Sequence, residues 1–587
     1  MNFQIESTGF TPLAFAAQSG LHAFAEAMLQ SFGEGKEEEK KKYIELTESM
    51  TGSTAIYLAT QSEDLEMIKL LVAHGASIDV ENYPEKYTPL SYAAQEGLLE
   101  ICKYLLEHNA DINHCNQHGA SPIYLAIARQ QHEIIQLLLD DKYKGIIDLN
   151  IPTATTLNTA LFAAAEQIDS LDVFKRMIEF NADIHFFDKN GNTCLLMAAC
   201  YGKEEIMQYL IGQGAKINYK SKTGVSLIHM AAEKGLMDSL KSILNAGIDI
   251  NSEFEGKTPL YLAVLAGQEA VVQYLIEQKA DLNVKEKTIE VTCLYPALLR
   301  GFYSIFKLLM NSGADINQPI INQSTLLQYF ICKDLDEQNG EILDLLLEYK
   351  ADTNQVNNVG YSSIYHAIDQ NDKGILQKLI AHKADVNFIK KPENKTPLQY
   401  AAERALVVPC SLLLEHGAEV NVMDDSGITP LSISTLKGYT EVLKLLLAYD
   451  GNPNELYYND CPLFYFACQE NYFDIANFYL LSGTDFEAIC KSNQETPFYV
   501  ACEKGNLDIV ELLLSFEPVG INTPNNVENT PLMIASINGH TEVVKRLLQL
   551  PNIDLYHVDK DDKSALELAS NEDIAAMLTA ALKLKSE

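Results

Sequence analysis

The sequence predicts an all-α solenoid of short, stacked helix pairs, and three observations predict it. A helix-start element returns at Thr11, Thr54, Thr88, Ser121, Thr159, Thr193, Ser226, Thr258, Thr292, Thr325, Ser362, Thr396, Thr429, Cys461, Thr496, Thr530 and Ser564. Those seventeen starts span 553 residues at a mean interval near 34.6. Every helix they open is far below the roughly 12–15 residues at which an isolated helix becomes marginal in water. Each apolar stripe is therefore stable only against a neighbour, which makes the array, rather than the single repeat, the folding unit.

Residues 88–113 show how one repeat is written. Thr88 supplies a hydroxyl to cap free N–H groups, and Pro89 suits a first turn whose missing donor costs nothing. Leu90, Ala93 and Ala94 fall on one face at helical spacing, and the alanines let a neighbouring helix come close. Gly97 ends the first helix. Ile101, Cys102, Leu105 and Leu106 form the inner stripe of a second helix, which Asn109 ends in a left-handed conformation. That exit slot is Gly at 75, 214, 247, 313 and 417, Asn at 181, and Lys at 279, 350 and 383. Asp111-Ile112-Asn113 and Gly119 then read as an extended finger into the next repeat.

The starts TPLSYAA at 88, TPLYLAV at 258, TPLQYAA at 396 and TPLMIAS at 530 resemble the ankyrin-repeat signature, as do the endings LLMNSGADIN at 308 and LLLEHGAEVN at 412. The resemblance covers nearly the whole chain. It implies a superhelix of antiparallel helix pairs with β-hairpin fingers and a concave face that binds partners. The organisation expected is an N-terminal capping repeat with a charged insertion at 1–49, repeats at 50–320, a degenerate repeat with a break in curvature at 321–345, repeats at 346–563 and a C-terminal cap at 564–587. The insertion GEGKEEEKKKYIELTES at 33–49 reads as an exposed helix or loop. DKYKGIIDLNIPTATTL at 141–157 lengthens a finger, and KDLDEQNG at 333–340 lengthens a turn between helices. Pro296 and Pro409 lie in first helical turns and should weaken or bend them locally.

Composition narrows the function. The net charge of −36, from 80 acidic and 44 basic residues, repels nucleic acid and anionic membranes and favours partners with basic or mixed-charge surfaces. No apolar run reaches the length of a membrane span. The eleven cysteines include no CxxC pair and MNFQIESTGF is no secretory signal, so reduced thiols and a cytoplasmic location are expected. Cys102, Cys200, Cys468 and Cys502 fall on core positions as small hydrophobes.

The sequence contains no P-loop, GxSxG, HExxH or paired zinc knuckle, so a non-catalytic chain without cofactor is expected. One cluster, HNADINHCNQHG, gathers His108, Asp111, His114, Cys115 and His118. His114, Cys115 and His118 have the donor types of a zinc site, and equally those of ordinary exposed finger residues. His229, in SLIHMAA, occupies the histidine slot of the family start, where the resemblance implies hydrogen bonds between repeats. Tyr57, Tyr124, Tyr261, Tyr295, Tyr365 and Tyr499 fill the same slot and are expected to pack between repeats.

The binding surface is expected in two places. Between 457 and 479 nine aromatics occur: Tyr457, Tyr458, Phe464, Tyr465, Phe466, Tyr472, Phe473, Phe478 and Tyr479. Core slots absorb about five; Tyr457 and Tyr458 on a finger, with Tyr472 and Phe473 at the start of a second helix, are candidate exposed anchors. The resemblance also implies contacts at finger ends and first-helix ends. The former include Tyr87, Asn192, Lys257, Tyr361, Lys395 and Glu495; the latter include Gln95, Glu96, Glu233, Lys234, Glu403, Arg404, Glu503 and Lys504. Asn113, Asn317 and Asn421 match the family's hydroxylation-acceptor asparagines. The function expected is a monomeric scaffold for partner proteins. The alternatives are a translocated bacterial effector acting on host proteins in the host cytosol, to which long arrays without other domains are similar, and a substrate-presenting subunit of an enzyme complex. The tail SNEDIAAMLTAALKLKSE reads either as an export signal or as a polar cap.

Overall fold

The computed structural model describes residues 10–33, 35–49, 51–333, 337–516 and 519–586. They divide into two compact units, Met1–Asp315 and Ile316–Glu587. Among the described residues the first unit holds nine helix pairs, from Pro12–Gln18 with His22–Gln30 to Leu294–Leu299 with Tyr303–Asn311. The second unit holds seven, from Leu326–Ile331 with Glu337–Glu348 to Pro531–Ile537 with Thr541–Leu548, and ends in the helix Glu572–Ser586. At the last start the first helix is replaced by turns after Ser564. Pro296 lies in a helix of only six residues, whereas the helix holding Pro409, Val407–Glu415, keeps its nine.

Helix starts behave as the sequence demands. The Thr88 hydroxyl accepts from the Ser91 N–H while Ser91 returns a bond to the Thr88 backbone, and Thr396 and Gln399 repeat this capping box. Leu90, Ala93 and Ala94 are fully buried, as are Leu398, Ala401 and Ala402 in the later repeat. The exits are left-handed where expected: Asn109 has φ 63°, Asn181 64°, Lys279 66°, Lys350 60° and Lys383 69°.

In several repeats one slot, three residues after the cap, fastens the repeat to the next finger. His229 accepts from the Ser226 hydroxyl at Nδ1 at 2.8 Å and donates from Nε2 to the Ser252 carbonyl at 2.9 Å. The Tyr365 hydroxyl lies 2.7 Å from both the Phe388 and Lys395 carbonyls. The side-chain amides of Gln328 and Gln399 reach the equivalent carbonyls of Gln355 and Tyr361, and of Val422 and Ile428. Three different side chains thus satisfy the same buried acceptors.

Other repeats carry apolar residues such as Phe162, Leu196 and Met533 in that slot, and two successive ones, with Ser432 and Phe464, are linked in other ways. Ser432 is too short to span the gap, and the Glu455 carboxyl enters to meet the Thr429 hydroxyl at 2.7 and 2.8 Å. Phe464 has no polar atom, and there Cys461, in the cap slot, is disulfide-bonded to Cys490 on the next finger. The repeat register is what brings these two cysteines together, 29 residues apart in sequence and with Cα atoms 4.0 Å apart. Cys102, Cys468 and Cys502 are core residues, but Cys200 is only half buried because it ends its first helix.

The fingers are thinner than β-hairpins. Among the described residues one two-residue pair, Leu456–Tyr457 against Cys461–Pro462, and isolated bridges such as Phe187 with Thr193 represent them. Asparagines do the joining instead. Asn387 accepts from the Glu419 N–H at 2.8 Å and donates to the Gly417 carbonyl at 3.1 Å. In the second unit the same side-chain acceptor links Asn317 to Asp352, Asn354 to Asp385, Asn421 to Asn452 and Asn454 to Asp485.

The insertion near the N terminus contains a helix, Glu37–Ile44, which is not wholly exposed: Tyr43 and Ile44 bury, with Tyr43 packed on Phe32. In the lengthened finger a 3-10 turn, Asp141–Tyr143, is tied down by Arg176, which reaches the Leu139 carbonyl and Asp141. The expected turn extension at 333–340 falls partly outside the described residues.

Candidate protein-interaction surface

Within each unit, residues at the ends of the first helices and fingers are half or fully exposed polar side chains that pair with one another. In the first unit the Tyr87 hydroxyl donates to Gln95 at 2.9 Å, and Gln95 in turn donates to the exposed Glu96. Glu233 lies 3.5 Å from Lys234. In the second unit Glu503 pairs with Lys504 at 3.5 Å, and Lys395 reaches Glu403 at 2.9 Å.

The densest grouping surrounds Tyr400. Its hydroxyl lies 2.9 and 3.0 Å from the Asp369 carboxyl oxygens. The Arg404 guanidinium stacks 3.5 Å from its ring centre and lies 3.3 Å from Asp369. Tyr361 packs edge-on at 5.7 Å and carries Lys390 over its own face at 4.6 Å. Burial first, then bonds to Tyr361 and Asp369, push the Tyr400 hydroxyl well above its usual range, so it remains a neutral donor. Tyr361 and Arg404 were both expected at the surface from sequence; Tyr400 and Asp369, which join them, were not. Their signal was present, since Asp369 ends a first helix just as Glu403 does.

Beside this grouping lies a cysteine, histidine and asparagine in file. Cys332 Sγ is 3.3 Å from His366 Nδ1, and His366 Nε2 is 3.3 Å from Asn357 Nδ2. The order resembles a nucleophilic triad, but its wiring opposes one. Asn357 Oδ1 accepts from the Val359 and Tyr361 N–H groups, so its NH2 faces the histidine and makes Nε2 an acceptor. The proton of a neutral ring then sits on Nδ1, facing the sulfur, and no lone pair remains to take the thiol proton. Burial and Asp369 also push the Cys332 thiol up, and burial holds His366 below its usual value.

The aromatic run at 457–479 does not form one patch. Phe464, Tyr465 and Tyr479 are buried, and the Tyr479 hydroxyl bonds Thr435 at 2.6 Å. Tyr457 packs edge-on against Phe466 at 5.7 Å. Tyr472 is half buried: its ring lies over Gly438 of the preceding repeat, where a Cβ would come within 2.9 Å. Phe302 covers Gly267 in the same way, while Gln131 and His540 over Gly97 and Gly505 also bond the Gln95 and Glu503 carbonyls. Tyr458 and Phe473 remain exposed.

At the histidine-rich finger His114 Nε2 lies 3.2 Å from Glu81, His118 meets Gln117, and His108 stacks on Tyr104. Among the described residues no group of three or more His, Cys, Asp or Glu side chains is placed to hold a metal ion, and no helix is long and apolar enough to cross a membrane.

Comparison with known proteins agrees with this architecture. The model of the family described as ankyrin repeats (3 copies) matches overlapping windows that begin at residue 13 and end at 583. Transient receptor potential cation channel subfamily A member 1 of Homo sapiens is 26 % identical over 418 residues, which are 68 % of this chain and 36 % of the channel subunit. The ankyrin repeat protein YahD of Escherichia coli (strain K12) is 29 % identical over 229 residues, 37 % of this chain and 91 % of that protein. Among solved structures, the human ASB11 ankyrin repeat domain matches at 24 % identity and a TM-score of 0.33, covering 38 % of this chain and 98 % of that domain. Ankyrin repeats are general protein–protein interaction modules. The chain belongs to the ankyrin-repeat family.

Proposed function

We propose that this chain is a scaffold that binds partner proteins through the fingers and first-helix ends, with the Tyr361–Tyr400–Arg404 grouping as an anchor for a polar, mixed-charge partner surface. The observation that carries the reading is the fixed state of these side chains before any partner arrives. Arg404 is held by a ring on one side and a carboxylate on the other, so little rotamer freedom remains to be lost on binding. Arginine and tyrosine are also the residue types enriched at interface hot spots. The exposed acids Asp369 and Glu470 of the same unit favour a partner that brings cations.

Affinity capture from a cytosolic lysate with the full chain as bait tests this reading. Proteins recovered by the natural chain are expected to be lost from the Arg404→Ala and Tyr361→Ser variants. Recovery of every partner at undiminished yield by both variants would remove this face from the function.

A further inference from the structure

The fingers of the second unit repeat an apolar residue where solvent is expected to select a polar one. Two residues beyond the Asn position of six fingers stand Val356, Ile389, Met423, Leu456, Ile489 and Val558, each between 40 and 58 % exposed, and Pro319 and Pro524 fill the same position in two others. The equivalent positions in the first unit are mostly charged, among them Glu81, Lys220, Glu253 and Lys285, with Phe187 an exposed apolar exception. The row is also held in register. The acceptor bonds from Asn354, Asn387, Asn421 and Asn454 to the following finger fix each apolar side chain relative to the next. At a stacking distance of roughly 8–10 Å per repeat, this is a ladder with one apolar rung per repeat.

Charge restricts what fits on it. The three fingers carrying Met423, Leu456 and Ile489 expose Glu419, Asp425, Asp450, Asp460, Asp485 and Glu487. Their one cation, Lys491, is paired with Asp460 at 3.2 Å. From residue 445 to residue 490 the chain contains no Lys or Arg. An apolar row inside an acidic field selects a ligand that is apolar at intervals and basic between them.

Geometry restricts it further. A β-strand covers about 10 Å in three residues, but residues three apart point to opposite faces. A polyproline II segment also advances about 9 Å in three residues, and its threefold symmetry returns every third side chain to one face. An α-helix returns a side chain at about 10.5 Å after seven residues, but it also presents positions three and four to the same side. A single-file row leaves those positions without a counterpart. We propose, building on the scaffold reading above, that the fingers between Glu419 and Glu495 dock a basic, extended segment of a partner protein in the polyproline II conformation, one apolar side chain in three resting on Met423, Leu456 and Ile489.

The test uses the full chain and a fluorescein-labelled peptide of four Leu-Pro-Arg repeats, read by anisotropy near physiological salt so that simple charge attraction is screened. Saturable binding is expected, weakened about tenfold by Met423→Ser and again by Leu456→Ser. Leu481→Ser, a still more exposed leucine at the end of a second helix, is expected to leave it unchanged. A Ser-Pro-Arg repeat of the same charge is expected to bind at least tenfold more weakly. Equal binding of that control, tighter binding of a basic proline-free peptide with leucine at every seventh residue, or no binding of the first probe overturns the proposal. So does self-association of the chain that these two variants abolish, which would make a second copy the occupant. A lysate partner lost with Arg404→Ala but indifferent to Met423→Ser and Leu456→Ser overturns the ladder and leaves the scaffold reading standing.

Discussion

The Thr429 hydroxyl meets the buried Glu455 carboxyl across the junction of two repeats, 2.7 and 2.8 Å from its oxygens. Burial raises that carboxyl to about 7, and the hydroxyl only partly opposes the rise. The folded chain therefore takes up a proton that the unfolded chain releases near its ordinary value of 4.5. The stabilisation of the neutral form is complete below about pH 4.5 and is lost as pH rises through 7. Glu455→Gln, neutral at every pH, is expected to unfold later than the natural chain at pH 8, by up to about 3 kcal/mol. That gain should shrink steadily toward pH 5. Denaturant titrations at both values check it, and a difference independent of pH would contradict a neutral Glu455.

Asn387 both accepts from and donates to the next finger. Asn387→Ala removes both bonds and is expected to cost about 1–2 kcal/mol. Asn387→Asp keeps the acceptor and should recover part of that loss. Hydrogen exchange at the Glu419 amide gives the local reading: it should quicken in the alanine variant and much less in the aspartate one.

Lys350 leaves its helix at φ 60°, a conformation that costs a residue with a Cβ about 1 kcal/mol. Lys350→Gly is expected to raise the unfolding midpoint modestly, whereas Lys350→Ala, which keeps the Cβ, should not. A gain of equal size from alanine would trace the effect to the lost charge instead.

Tyr365 is fully buried, with its hydroxyl beside two finger carbonyls. Tyr365→Phe preserves the ring packing against Tyr400 at 5.2 Å and removes only the donor. A loss of roughly 1–3 kcal/mol is expected from stranding buried acceptors. Calorimetry on the two proteins settles the value, and an unchanged transition would show that water replaces the hydroxyl.

The repeat boundaries were legible because each depends on a local cue: threonine hydroxyls at helix starts, alanines at close approaches, Gly, Asn or Lys at left-handed exits. The histidine and tyrosine slot was legible for the same reason, through His229 and Tyr365. What the sequence hid depends on register between neighbours. Asn354 and Asn387 look like isolated polar residues until the next finger is placed beside them. Cys461 and Cys490 share no motif, and Tyr472 counts as an exposed aromatic until Gly438 is found beneath it. The candidate surface divides likewise: Tyr361 and Arg404 could be named from their positions, whereas their meeting at Tyr400 required the fold.

Among the described residues the acceptor bonds from finger asparagines run from Asn317 to Asp485; Glu487 then occupies the asparagine slot, and its carboxylate, though able to accept, has no proton with which to donate to the following finger as Asn387 does. They resume with Asn522 and Asp554. A load applied at the C terminus would thus meet its first weak seam at that glutamate, and the last repeats would peel away before the fingers ahead of it yield.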